Sequence, residues 1–309
     1  MSNAYIRLAF QGRNHWWLYV LGTFSSLFCF IVGSAVTMGL LFAYISVDGN
    51  PNTQVLSPDA AVGGQLPIAG VSPTVIYVVA NLAFLFFFAG IWSTLKLFHE
   101  RPFRTLITPA TRVSWRRIGQ GFSVFFLLKV LEILVAYLLA PEDFSLNFRP
   151  GEFFIFLPIV AVLTPLQTTT EELFFRGYLL QGIGSRLGKW MAVILPSLLF
   201  MLLHISNPEV TTQDSWVGVA SLVMYYFMIG AFLAWLTIKE KSLELALGVH
   251  AANNMATFLL VTSSNSVIPS PAVFMVGEME ATFSLVLFTA IWLWLFSLIV
   301  FRLLRRPQV

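Results

Sequence analysis

Long apolar runs alternate with short polar breaks along the whole chain. Runs near 18–45, 73–97, 119–140, 153–180, 190–206, 216–238, 243–262 and 281–301 hold the roughly 17–25 residues that cross a hydrocarbon core of about 30 Å. Lipid offers backbone N–H and C=O groups no partner, so helices are the expected spans. The pattern predicts an all-α, polytopic membrane protein of eight transmembrane helices, forming a single integral domain over residues 1–309. Composition agrees. The chain is 57% hydrophobic and only 11% charged, where a soluble domain carries about 25% charged residues. Mean hydropathy is +0.80. The first run is too long for a signal peptide and is expected to be a permanent helix.

Charge then orients the bundle. With the N-terminus inside, basic residues collect at 7–13, 96–117, 186–189, 239–241 and 302–306, the last stretch holding Arg302, Arg305 and Arg306. Of 18 Lys and Arg residues, only Arg149 falls outside, while Lys129 and Arg176 lie within spans. Such an imbalance is the positive-inside signature of cytoplasmic loops. Both termini are expected in the cytoplasm, the protein in a prokaryotic cell membrane. The net charge of +3 is a topology signal and gives no reason for a nucleic-acid partner. The outer loops 47–72 and 263–280, rich in Pro, Gly, Ser and Ala, are expected to be flexible. The basic segment 98–118 is expected to lie at the interface. Cys29, the single cysteine, cannot form an intramolecular disulfide. No internal repeat is evident, which weighs against a transporter.

Against this background, ionisable residues within spans are functional candidates. Lys129 and Glu132 are three apart and are expected to neutralise each other. "TTTEELFFRGY", residues 168–178, carries Glu171, Glu172 and Arg176. Glu172 and Arg176 share a helix face at a spacing of four and can pair. Glu171 is rotated by about 100°, so it is the spare carboxylate and a candidate general base. Phe200 and His204 are four apart on the next run, and His250 and Asn254 on the seventh. A carboxylate, two imidazoles and an amide from three helices can surround one water. Asn253, on a different face, is read as structural.

In this order and spacing, Glu171-Glu172-x-x-x-Arg176, Phe200-x-x-x-His204 and His250-x-x-x-Asn254 resemble the motifs of the CAAX prenyl protease (Abi, or CPBP) family of intramembrane endopeptidases. The resemblance covers about 100–262. It implies eight helices around a membrane-embedded polar cavity open toward the cytosol. It implies Glu171 and His204 as activators of water and His250 and Asn254 as oxyanion donors. Glu172, Arg176 and Phe200 would brace the site. The implied partner is a membrane-associated or lipidated peptide within the bilayer, cleaved without a cofactor. Three rivals stay open. Zinc on Glu171, His204 and His250 is chemically reasonable, although no H-E-x-x-H pair is present. A non-catalytic binding or immunity protein on the same fold, and a proton-coupled small-molecule transporter, would use the same buried groups differently.

Overall fold

A computed structural model describes residues 3–48, 53–55, 68–268, 270–278 and 281–304. Arg305, Arg306 and most of the outer loop 47–72 therefore lie outside the described residues. The chain begins with a 3-10 turn, Ile6–Gln11, and then the 33-residue helix α1, Trp16–Asp48. Helix α2, Pro73–Thr94, starts on Pro73, with the Ser72 side chain accepting a hydrogen bond from the Thr74 amide. Both features suit a first helical turn. Helices α3, Trp115–Leu139, and α7, Trp216–Glu240, are capped in the same way by Ser114 and Ser215. Helix α4, Pro150–Glu172, passes through a π-helical segment, Leu173–Leu179, into α5, Leu180–His204. A single turn α6, Pro208–Thr211, follows, and later α8, Glu244–Leu259, and α9, Phe283–Leu298.

Among the described residues, six helical segments are long and apolar enough to cross a membrane, where eight were expected. Two features make up the difference. The fourth and fifth runs form one helical path, Pro150–His204, turned at Gly188 with φ 83° and ψ 174°. Glycine is the residue that adopts such a conformation without a Cβ clash. The path doubles back there: Arg176 and Phe200, each twelve residues from Gly188, are in contact, with the guanidinium carbon 4.4 Å from the ring centre. The seventh run is the other departure. Helix α8 has only 16 residues, and Glu244–Ala252 is buried on all sides. It is a core helix inside a ring of longer ones.

Helix α8 packs closely on α3 because both present glycine at the crossing. A Cβ on Gly121 would meet the Leu245 carbonyl oxygen, and one on Gly248 would meet the Ile118 carbonyl oxygen and the Phe122 amide. Small residues that bring backbones together are a common basis of helix association in lipid, where burial of apolar surface gives little drive. Gly248→Val is expected to cost about 1–3 kcal/mol by overpacking. A thermal midpoint in detergent equal to wild type would disprove this.

The polar segments are more ordered than composition suggested. Strands β1, Gln54–Val55, and β2, Ile68–Ala69, pair antiparallel. Strands β3, Phe144–Leu146, β4, Val261–Ser263, and β5, Phe274–Val276, form a sheet in the order β3-β5-β4. The outer loop 263–280, expected to be flexible, thus contributes a central strand. Residues 98–118, expected at the interface, are exposed at 109–112 and 115–116 but pack part of their length into the protein. Arg101, Thr105, Leu106 and Thr108 are buried. Arg101 donates to the Leu8 carbonyl at 3.1 Å and to Gln181 Oε1 at 2.8 Å, which ties this loop to the N-terminal turn and to α5.

Candidate active site

Four of the seven residues singled out by spacing form one hydrogen-bonded and ion-paired cluster. Arg176 Nη1 donates to Glu172 Oε1 at 2.7 Å, and both side chains are fully buried. His250 Nδ1 donates to the same oxygen at 2.8 Å. His250 Nε2 lies 3.7 Å from Glu171 Oε2, so one imidazole sits between two carboxylates. Glu171 Oε1 also accepts from Gln167 Nε2 at 3.2 Å. The π-helical segment begins directly after the two glutamates, and such segments recur at functional positions in helices. Its sequence signature is weak, and spacing alone did not reveal it.

Phe200 links this cluster to His204. Its ring lies under the Arg176 guanidinium, 6.1 Å from the His250 ring and 4.3 Å from the His204 ring. His204 Nδ1 is 2.7 Å from the Phe200 carbonyl oxygen. A carbonyl can only accept, so Nδ1 carries the hydrogen and Nε2 keeps its lone pair in the neutral ring. That tautomer suits an imidazole that takes a proton from water. Helix α8 carries Asn254 one turn beyond His250. Its Oδ1 accepts from Asn253 Nδ2 at 3.2 Å, and no hydrogen bond joins it to Glu171 or His204. Lys129 and Glu132 pair at 2.8 Å, as their spacing predicts. Among the described residues, no three His, Cys, Asp or Glu side chains are grouped to hold a metal ion.

Sequence reasoning missed the support of His204. Tyr226 on α7 covers the ring from the other side, with centroids 4.5 Å apart. The Tyr226 hydroxyl donates to Glu209 Oε1, and Asn207 Nδ2 donates to that oxygen at 3.1 Å and to the hydroxyl at 3.2 Å. Asn207 and Glu209 follow the apolar run and read as loop residues, though the polar cluster His204-x-x-Asn207-x-Glu209 was available as a signal. Tyr226→Phe keeps the ring but removes one partner of a largely enclosed carboxylate. It is expected to destabilise the fold by about 1–3 kcal/mol, read as a lower unfolding midpoint in detergent.

The N-terminal turn supports the cluster from below. The buried Tyr5 hydroxyl is shared between the Leu106 carbonyl and the Arg176 carbonyl, the latter at 3.2 Å. Burial pushes the Tyr5 phenol above its ordinary range, so it remains a neutral donor. Its bond reaches the backbone of the π-helical segment that presents Arg176.

Comparison with known proteins points to a family for the segment that carries this cluster. A family model described as type II CAAX prenyl endopeptidase Rce1-like matches residues 150–256, a span that holds all seven residues from Glu171 to Asn254. The chain is 34% identical over 276 residues to the uncharacterized protein YyaK of Bacillus subtilis (strain 168), covering 87% of this chain and 86% of that protein. It is 30% identical over 170 residues to a CAAX prenyl protease 2 of Methanococcus maripaludis, covering 50% of this chain and 62% of that protein. No solved structure matches. The site-bearing segment 150–256 of this multi-pass membrane protein is thus Rce1-like, and the chain as a whole is a relative of YyaK.

Proposed function

We propose that the protein is an intramembrane endopeptidase that hydrolyses a peptide bond near a lipid anchor, with water activated by Glu171 and His204. The observation that carries this is the juxtaposition, inside the bundle, of Glu171, Glu172, Arg176 and His250, with His204 one ring away. A carboxylate and an imidazole can take a proton from water as it attacks the carbonyl carbon and return it to the leaving amine. His204 Nε2 holds the lone pair that this requires. The oxyanion is received by His250, through Nε2 when the ring carries both protons, and by the Asn254 amide. Glu172 and Arg176 fix His250 through the shared oxygen.

The substrate is a membrane-associated peptide or protein whose lipid anchor lies in the bilayer, and the protein sits in the cell membrane with both termini cytoplasmic. The basic residues at the proposed inner helix ends support this orientation. Lys96, Lys189 and Lys239 each lie about 5 Å from a tryptophan ring, on Trp92, Trp190 and Trp235, as aromatic and basic residues do at membrane interfaces.

The test is cleavage by purified protein in lipid nanodiscs of peptides with a C-terminal prenylated cysteine tripeptide or an acylated cysteine, with products mapped by mass spectrometry. Cleavage that needs Glu171 and His204 and survives chelator treatment supports the proposal. Cleavage lost on chelation and restored by zinc would instead favour a metal-dependent route. Absence of cleavage, with pH-gradient-driven solute uptake, would favour a transporter.

A further inference from the structure

We infer that Asn253 is a positioning residue that turns the Asn254 amide so that its NH2 group faces the reacting carbonyl. This rests on the reading of Asn254 as an oxyanion donor. A side-chain amide has an accepting oxygen and a donating nitrogen, related by a half-turn about its terminal bond. Only one orientation can bind an oxyanion. In the structure, Asn253 Nδ2 donates to Asn254 Oδ1 at 3.2 Å. This engages the oxygen of Asn254 and leaves both of its N–H groups for another partner.

Consecutive residues on a helix point about 100° apart and do not ordinarily face each other. Something must therefore hold Asn253 toward its neighbour. Asn253 borders a small cavity of about 20 Å³ where Lys129, Glu132, Tyr225 and Thr289 lie among apolar side chains. The Lys129–Glu132 pair, bonded at 2.8 Å, puts charged groups in this pocket, and its volume suffices for one water. Asn253 thus lies between that cavity, against α3 and α7, and Asn254 on its own helix.

The experiment is a double-substitution cycle read as kcat and KM on the lipidated peptide. N253A frees the amide and is expected to lower kcat about tenfold, the effect of one ordinary hydrogen bond. N253D can only accept, so it draws the Asn254 NH2 group toward itself. It is expected to lower kcat about a hundredfold, as for loss of one oxyanion donor, with KM within about twofold. In an N254A background neither change should lower kcat further, because Asn253 acts through Asn254. Additive losses in that background, or an unchanged kcat in N253D, would overturn the assignment. A wild-type protein that cleaves no peptide would remove the proposed function instead. The inference is then decided by NMR of asparagine-labelled protein, since the ¹³Cγ shift of Asn254 reports whether its oxygen accepts a hydrogen bond. That shift should move upfield in N253A, and an unchanged shift would overturn the assignment.

Discussion

Glu171→Ala is expected to reduce turnover of a lipid-anchored peptide by about two to four orders of magnitude, the range for removal of a positioned general base. The unfolding midpoint should stay near that of wild type. The two outcomes separate because of where Glu171 sits. It holds one side-chain hydrogen bond, from Gln167, and approaches His250 at 3.7 Å, and it keeps 14% of its side-chain surface. It is therefore bound loosely enough to act on water and to be removed without leaving a buried charge alone. Glu171→Gln provides the control for shape: it preserves volume and loses only the ability to take a proton. Equal turnover in wild type and both variants would eliminate Glu171 as the base and with it the proposed mechanism.

Arg176→Met should have the opposite signature, a large loss of stability. Glu172 has no exposed side-chain surface, and its Oε1 is held by Arg176 and His250. Removing the guanidinium leaves a carboxylate in a low-dielectric interior. Breaking one side of such a pair typically costs about 3–5 kcal/mol, while replacing both partners can be close to neutral. The double change Glu172→Gln with Arg176→Met should accordingly recover much of the unfolding midpoint lost by the single one. Denaturant or thermal unfolding in detergent measures both. A single-variant loss below about 1 kcal/mol, the range of an exposed pair, would mean that the pair does not support the fold. Adjacent glutamates thus serve distinct ends: Glu171 is the group proposed for chemistry, and Glu172 is the one whose partner the fold cannot lose.

Much of this site was legible in the sequence because helical spacing is a local rule. The four-residue interval from Glu172 to Arg176 predicts the pair seen at 2.7 Å, and the three-residue interval from Lys129 to Glu132 predicts the one at 2.8 Å. The break between the fourth and fifth apolar runs, at about 180–190, was legible as well, and the chain turns there at Gly188. What spacing did not reveal depends on tertiary contact. Spacing gave no hint that His250 Nδ1 is engaged by Glu172. Tyr226 reaches His204 from a different helix, and Glu209, in a short turn, accepts from the Tyr226 hydroxyl. The span count was harder to read: Pro150–His204 folds back at Gly188 and so holds two of the expected runs, while helix α8 has 16 residues and begins buried in protein.

Helix α8 is about 24 Å long at 1.5 Å per residue, and its first turns touch no acyl chain. Helix α4, which carries Glu171, exposes Phe154, Ile155 and Val162 on its outer face. A thicker or thinner membrane therefore strains the long outer helices, which tilt to match it, while the inner helix follows only through its neighbours. The separation between Glu171 and His250 is set across that boundary. If Glu171 acts as proposed, lipid acyl-chain length becomes a mechanical input to its reaction, and turnover should peak in the bilayer whose thickness lets both helices stand at the same level.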